Sequence, residues 1–140
     1  MISTIPSQDK EGPMTPERMM RIIVDECDDV KEDKNVVEFT FRGVQLVLVY
    51  DVNADRMRII SVVCDTENLK PDELQKAMEA NFHSALDARY AISNDTVWAA
   101  FIHPLGELTE RMLRSAIRQV AMAKVTFGEE FSSGELYFGG

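Results

Sequence analysis

The stretch from Pro71 to Phe127 most narrows the folds open to this chain, because its hydrophobic period changes twice within it. KPDELQKAMEANFHSAL repeats its apolar residues at helical spacing, with Leu74, Met78, Phe82 and Ala85 on one side and Lys76, Glu79 and His83 away from it. DARYAIS and TVWAAFIHP flank Asn94-Asp95, two residues that tolerate positive φ, so this part reads as a β-hairpin. Ala91, Ala99 and Ala100 are small enough to let a helix approach the sheet closely. After Pro104 the helical spacing returns in LTERMLRSAIRQVAMAKVTF. Thr109 is placed as its N-cap, Leu108 and Leu113 as a hydrophobic staple, and Gly128 as its terminator.

The chain before Pro71 repeats the same grammar. Thr15 is a good N-cap, Pro16 suits the first helical position, and Glu17 complements the positive end of the helix dipole. Met14 and Met19 are placed to staple this helix, and Met19, Met20, Ile22, Ile23 and Cys27 make its apolar face. The acidic stretch Asp25 to Asp33 reads as a helix end running into solvent. VVEFTF then alternates apolar and polar residues, the mark of a half-buried strand, and Gly43 permits a tight reversal into VQLVLVYD. This strand and RMRIISVVC are apolar on both faces, which predicts a central strand or a covered outer face.

The pattern therefore predicts an α+β domain in the order α-β-β-β-α-β-β-α, with a five-stranded, mainly antiparallel sheet and three helices. Residues 1–14 read as a flexible arm, 15–128 as the domain and 129–140 as a tail. That tail, GEEFSSGELYFGG from Gly128, mixes acids with Phe131, Leu136, Tyr137 and Phe138. It has three readings: disordered, docked on its own domain, or bound to another chain. Asn81 falls inside the apolar stripe of the second helix. It reads first as a structural amide holding a loop or strand, and second as an interface or ligand contact.

Charge and composition exclude several functions. A net charge of -9 repels nucleic-acid phosphates and anionic membranes. No uncharged apolar run approaches the ~20 residues of a spanning helix, and the polar start MISTIPSQDKEGP lacks a signal-peptide core, so a soluble cytoplasmic setting is expected. Cys27 and Cys64 are too few for a disulfide framework and read as buried reduced thiols. His83 and His103 fall in different elements without partners at zinc-ligand spacing, so no metal is expected. No nucleophile elbow, phosphate loop or dinucleotide fingerprint occurs, so no catalytic residue and no cofactor are expected. Arg111, Arg114 and Arg118 line one side of the last helix. They read first as a solvated face paired with the protein's own acids, and second as a contact for an acidic partner.

TPERMMRIIVDE, EFTFRGVQLVLVYD, RMRIISVVC, ANFHSALDARYAI and LTERMLRSAIRQVAMA, in that order, resemble the type III secretion chaperone-like fold, closest to its YbjN-type branch. The resemblance covers Thr15 to Phe127. It implies a non-enzymatic homodimer whose protein partner is a non-globular segment seated along apolar grooves. Candidate partner contacts are Met19, Ile22 and Ile23 on the first helix and Val47 and Val49 on the second strand, with ordinary core as the competing reading of each. The rival function is a bacterial regulatory or sensory module, related to stress or motility, with no secretion client. An enzyme ranks third.

Overall fold

A computed structural model of the chain describes residues 11–133. Helix α1 (Pro16–Glu26) opens as its residues dictate, with the Arg18 N–H donating to the Thr15 hydroxyl at 3.2 Å. Met14 and Met19 on either side of this cap are both buried. Helix α2 covers Glu73–His83 and α3 covers Glu110–Thr126, the latter capped by Thr109, whose hydroxyl accepts from the Met112 N–H at 3.0 Å.

Six strands form one antiparallel sheet: β1 (Asp28–Asp33), β2 (Val36–Phe41), β3 (Val44–Asp51), β4 (Arg56–Asp65), β5 (Arg89–Ser93) and β6 (Thr96–Pro104). Their spatial order is β1-β2-β3-β4-β6-β5. The expected α+β class, three helices and central position of VQLVLVYD are found, with one strand more than expected. That strand is β1, the acidic DDVKED read as a solvated helix end. It pairs with β2, with Lys31 opposite Glu38, and a bulge between Asp28 and Lys31 holds Asp29 at a φ of 53°. As an edge strand it needs no apolar face, and its charges discourage a further strand from adding there.

The reversals fall where turn chemistry puts them. Arg42-Gly43 and Asn94-Asp95 both have positive φ at both residues, the geometry that matches the twist of a two-residue hairpin. Val37, Phe39, Leu46, Leu48, Met57 and Ile59 point from β2, β3 and β4 into the core, where α3 supplies Leu113, Ile117 and Val120. Helix α3 touches every strand from β2 to β6, and α1 packs on α3 beside β1.

Helix α2 differs from its sequence reading. It starts at Glu73, after a turn in which Asp72 takes a φ of 73° and the Lys70 N–H donates to Glu73 Oε1 at 2.8 Å. Its buried residues are Ala77 and Ala80, whereas Leu74, Met78 and Phe82 face outward. The small alanines let the helix lie close against the β5 edge, where Asn81 fixes it. The Asn81 Nδ2 donates to the Tyr90 carbonyl at 3.1 Å and its Oδ1 accepts from the Tyr90 N–H at 2.8 Å, the structural role expected of this amide.

The packed body continues past α3. Gly128, at a φ of 90°, reverses the chain, and Phe131 buries its ring 5.0 Å from Phe127 and 6.0 Å from Tyr90. The Tyr90 hydroxyl donates to the Ala123 carbonyl at 2.7 Å, and burial pushes its pKa up to about 12.

Candidate functional site

Strand periodicity of two sends alternate residues of β3, β4 and β6 to the sheet face opposite α3. There Val47 pairs with Ile60, which pairs with Ala100, and Val49 pairs with Arg58, which pairs with Ile102. Val62 pairs with Trp98 in a third row. Val47, Val49, Ile60, Val62, Trp98 and Ile102 thus share one apolar band. Glu38 and Arg89 stand at the two ends of the Val47 row, and Arg58 interrupts the band. Among the described residues no helix covers this face. Val62 is 49% and Ile102 58% exposed, although both sit mid-sheet. Exposed apolar patches of this kind are uncommon on monomeric proteins.

A second apolar surface lies at the other end of the sheet. Phe82 is 86% and Met78 62% exposed on α2, with Leu74 beside them and Ile92 on the adjoining edge strand β5. A cavity of about 190 Å³ runs between α2 and β5, floored by Tyr90, Val97 and Phe127. Tyr90 meets Asn81 at the sheet edge, so by alternation Ile92 presents its own N–H and carbonyl to that edge beyond the helix.

The five apolar residues singled out from sequence are not brought together. Val47 and Val49 stand half-buried on the bare sheet face. Met19, Ile22 and Ile23 lie on the far side of the sheet and are buried in the core, where α1 packs against α3. Sequence reasoning missed the outward stripe of α2. Its signal was present: two alanines, Ala77 and Ala80, offer a second and smaller apolar face on the same helix.

The arginine stripe also divides. Arg114 pairs with Glu26, with Asp25 at 3.0 Å and with Glu110 at 2.9 Å. The hydrogen bonds it donates to Glu26 first and Glu110 second hold its guanidinium above its ordinary range. Arg118 reaches Glu26 at 3.6 Å. Only Arg111 is exposed with no carboxylate in ion-pair reach among the described residues. It lines an open cavity with Arg89, Asp87 and His103.

Among the described residues no group of three or more His, Cys, Asp and Glu side chains is placed to hold a metal ion. His103 stacks on Phe101 at 5.7 Å, and its Nδ1 lies 2.8 Å from the Pro104 carbonyl oxygen. Burial pushes the Cys27 thiol up to about 12 and raises the half-buried Cys64 as well, so both are poor nucleophiles at neutral pH. No described helix is long and apolar enough to cross a membrane.

Neither a family model nor a curated protein sequence matches the chain. Among solved structures, a chain of the HopA1-SchA chaperone-effector complex superposes with a TM-score of 0.55 at 12% identity. The match covers 77% of this chain and 95% of that one. The chain has a chaperone-like fold. A chain of the ExsC-ExsE complex is also similar, at a TM-score of 0.49 and 15% identity over 77% of this chain and 81% of that one.

Proposed function

We propose that this chain is a non-enzymatic protein-binding domain of the secretion-chaperone kind, working in the cytoplasm as a homodimer. Two copies pair through α2 and the β5 edge, and the bare face of the sheet takes a non-globular segment of a partner protein. The observation that carries this reading is the apolar band from Val47 to Ile102, which no helix among the described residues covers. An extended segment with apolar residues at every second position matches the row spacing of that face. The dimer is supported separately, by the outward stripe of α2 next to β5, an edge strand of the sheet. The chaperone-effector neighbour lends the reading its fold context.

The test is affinity capture from the native host, comparing the wild type with Val47→Asp plus Val49→Asp and with Ile102→Asp. A partner recovered near stoichiometry by the wild type, and released from it as a protease-sensitive segment, is expected to be lost from both variants while each remains a folded dimer. If Ile102→Asp is folded and still holds the partner, the sheet face is not the binding site. If the valine variant is unfolded, those two residues belong to the core.

A further inference from the structure

A cavity of about 600 Å³ opens between β6, the loop that leads into β5 and the first turns of α3. Its walls place it on the edge of β6 itself. Phe101 is buried on the α3 side and His103 stacks on it, whereas Ile102 is exposed on the bare face, yet all three line the same cavity. Arg89, Arg111 and Asp87 supply its charged rim. We infer that this slot takes an extended segment of a partner protein, which continues the line of β5 along β6 and sets an acidic side chain against Arg111 and Arg89.

Two independent observations point to that occupant. The first is unfinished pairing. Strand β5 follows β6 only as far as Arg89 opposite Ala100, whereas β4 follows it on to Pro104. Among the described residues no strand continues the β5 line, because residues 86–88 lead back to α2. The Tyr90 N–H and carbonyl point outward to Asn81, so Arg89 turns its own backbone groups inward to Ala100. Antiparallel alternation then aims the N–H and carbonyl of Ile102 at the open edge, where the slot lies. Pro104, the next position on that edge, has no N–H to offer, and its carbonyl lies 2.8 Å from His103 Nδ1. The donor and acceptor of Ile102 thus set the register of an added strand.

The second observation is charge. The chain as a whole carries a net charge of -9, but this slot holds two guanidiniums against the single carboxylate of Asp87. Arg111 is exposed and pairs with no carboxylate among the described residues. Arg89 donates to the carbonyls of Leu86 and Ala88, the latter at 2.7 Å, and to no acid. Asp87 is engaged elsewhere, its Oδ2 accepting from Gln119 Nε2 at 3.2 Å. A carboxylate brought from outside therefore completes charge-assisted hydrogen bonds that the chain leaves open. A long polyanion does not fit the same site, because the surrounding acidic surface repels it.

This inference does not rest on the proposed client face. The slot uses the backbone edge of β6 and an arginine of α3, and either reading can fail alone.

Amide NMR spectra of the full chain, titrated with two short end-blocked peptides, test it. One peptide holds a single aspartate among threonines, and its twin holds asparagine there. The aspartate peptide is expected to shift the amides of Ile102 and Arg111 and to bind about tenfold tighter than its twin. Arg111→Ala, at an exposed position, should abolish that preference and leave the sheet amides of the unbound chain unchanged. Sodium acetate at the same concentrations should leave the Ile102 amide in place. No shift at Ile102 overturns the inference. So does equal binding of the two peptides, which means the carboxylate is not read, or a preference that survives Arg111→Ala, which means a seat elsewhere. Shifts confined to Val47 and Val62 mean that the peptide lies on the sheet face, and an acetate shift equal to the peptide's means an anion site without strand pairing; each overturns it as well.

Discussion

Replacing Phe82 with serine separates the proposed dimer surface from the fold that carries it. In one copy the ring is 86% exposed, so the substitution changes the stability of the monomer within about 0.5 kcal/mol, as surface substitutions away from special features do. In a two-fold dimer built on α2 the same ring is buried, and symmetry counts the change twice. Burying one Phe contributes about 1.5–3 kcal/mol, so removing two weakens the pair by about 3–6 kcal/mol. At 1.4 kcal/mol per factor of ten, the dissociation constant rises by roughly 10² to 10⁴. Sedimentation velocity over a dilution series reads that shift, and a thermal melt of the same sample checks the fold. An unchanged midpoint in a normally folded variant would refute the assignment of α2 to the interface. A large fall in stability of the isolated monomer would refute the claim that Phe82 faces outward.

Two further outcomes follow from single residues. Gln119 is buried on α3, and its Oε1 accepts from the Asp87 N–H at 2.9 Å and the Ala88 N–H at 3.1 Å, fixing the link between α2 and β5. Gln119→Leu keeps the bulk but strands both donors, which should destabilise the chain by about 2–5 kcal/mol in urea unfolding; a loss below about 1 kcal/mol would mean water reaches that link. Glu11 Oε2 accepts from the Glu110 N–H at 2.6 Å and pairs with Arg18 at 2.6 Å, and that backbone hydrogen bond, the largest influence, lowers its pKa below the ordinary 4.5. A lowered carboxylate pKa stabilises the fold above 4.5 and loses that contribution as pH falls through the folded value. Glu11→Gln should therefore be less stable than wild type by about 0.5–1 kcal/mol at neutral pH, and the two melting curves should converge in acid. A gap that persists at low pH would mean the carboxylate charge is not what acts there.

Local chemistry made much of this chain legible. Thr15 and Thr109 cap helices because a short hydroxyl side chain can satisfy an amide that the helix leaves open. Gly43 and Asn94-Asp95 mark reversals because they accept positive φ. Asn81 reads as a structural amide because a polar group in an apolar stripe needs partners nearby, and it finds them on Tyr90. The candidate site was legible only in outline. Double-sided apolar strands announced a face needing cover, but Ile60, Val62, Trp98 and Ile102 join Val47 and Val49 only through pairing with β4 and β6.

By itself the sequence determined the period of each element, the helix ends, most of the turns and the antiparallel run of the meander. These depend on neighbours within a few residues, where propensity and capping act. The tertiary structure alone decided that DDVKED is a strand, because its charges suit an edge only once β2 lies beside it. It also decided that α2 buries its alanines and turns Phe82 outward. Periodicity tells which residues share a face, and only the surface opposite tells which face is buried. The same holds for Met19, Ile22 and Ile23. Their spacing makes an apolar stripe in either role, and the presence of α3 and the sheet against α1 assigns that stripe to the core.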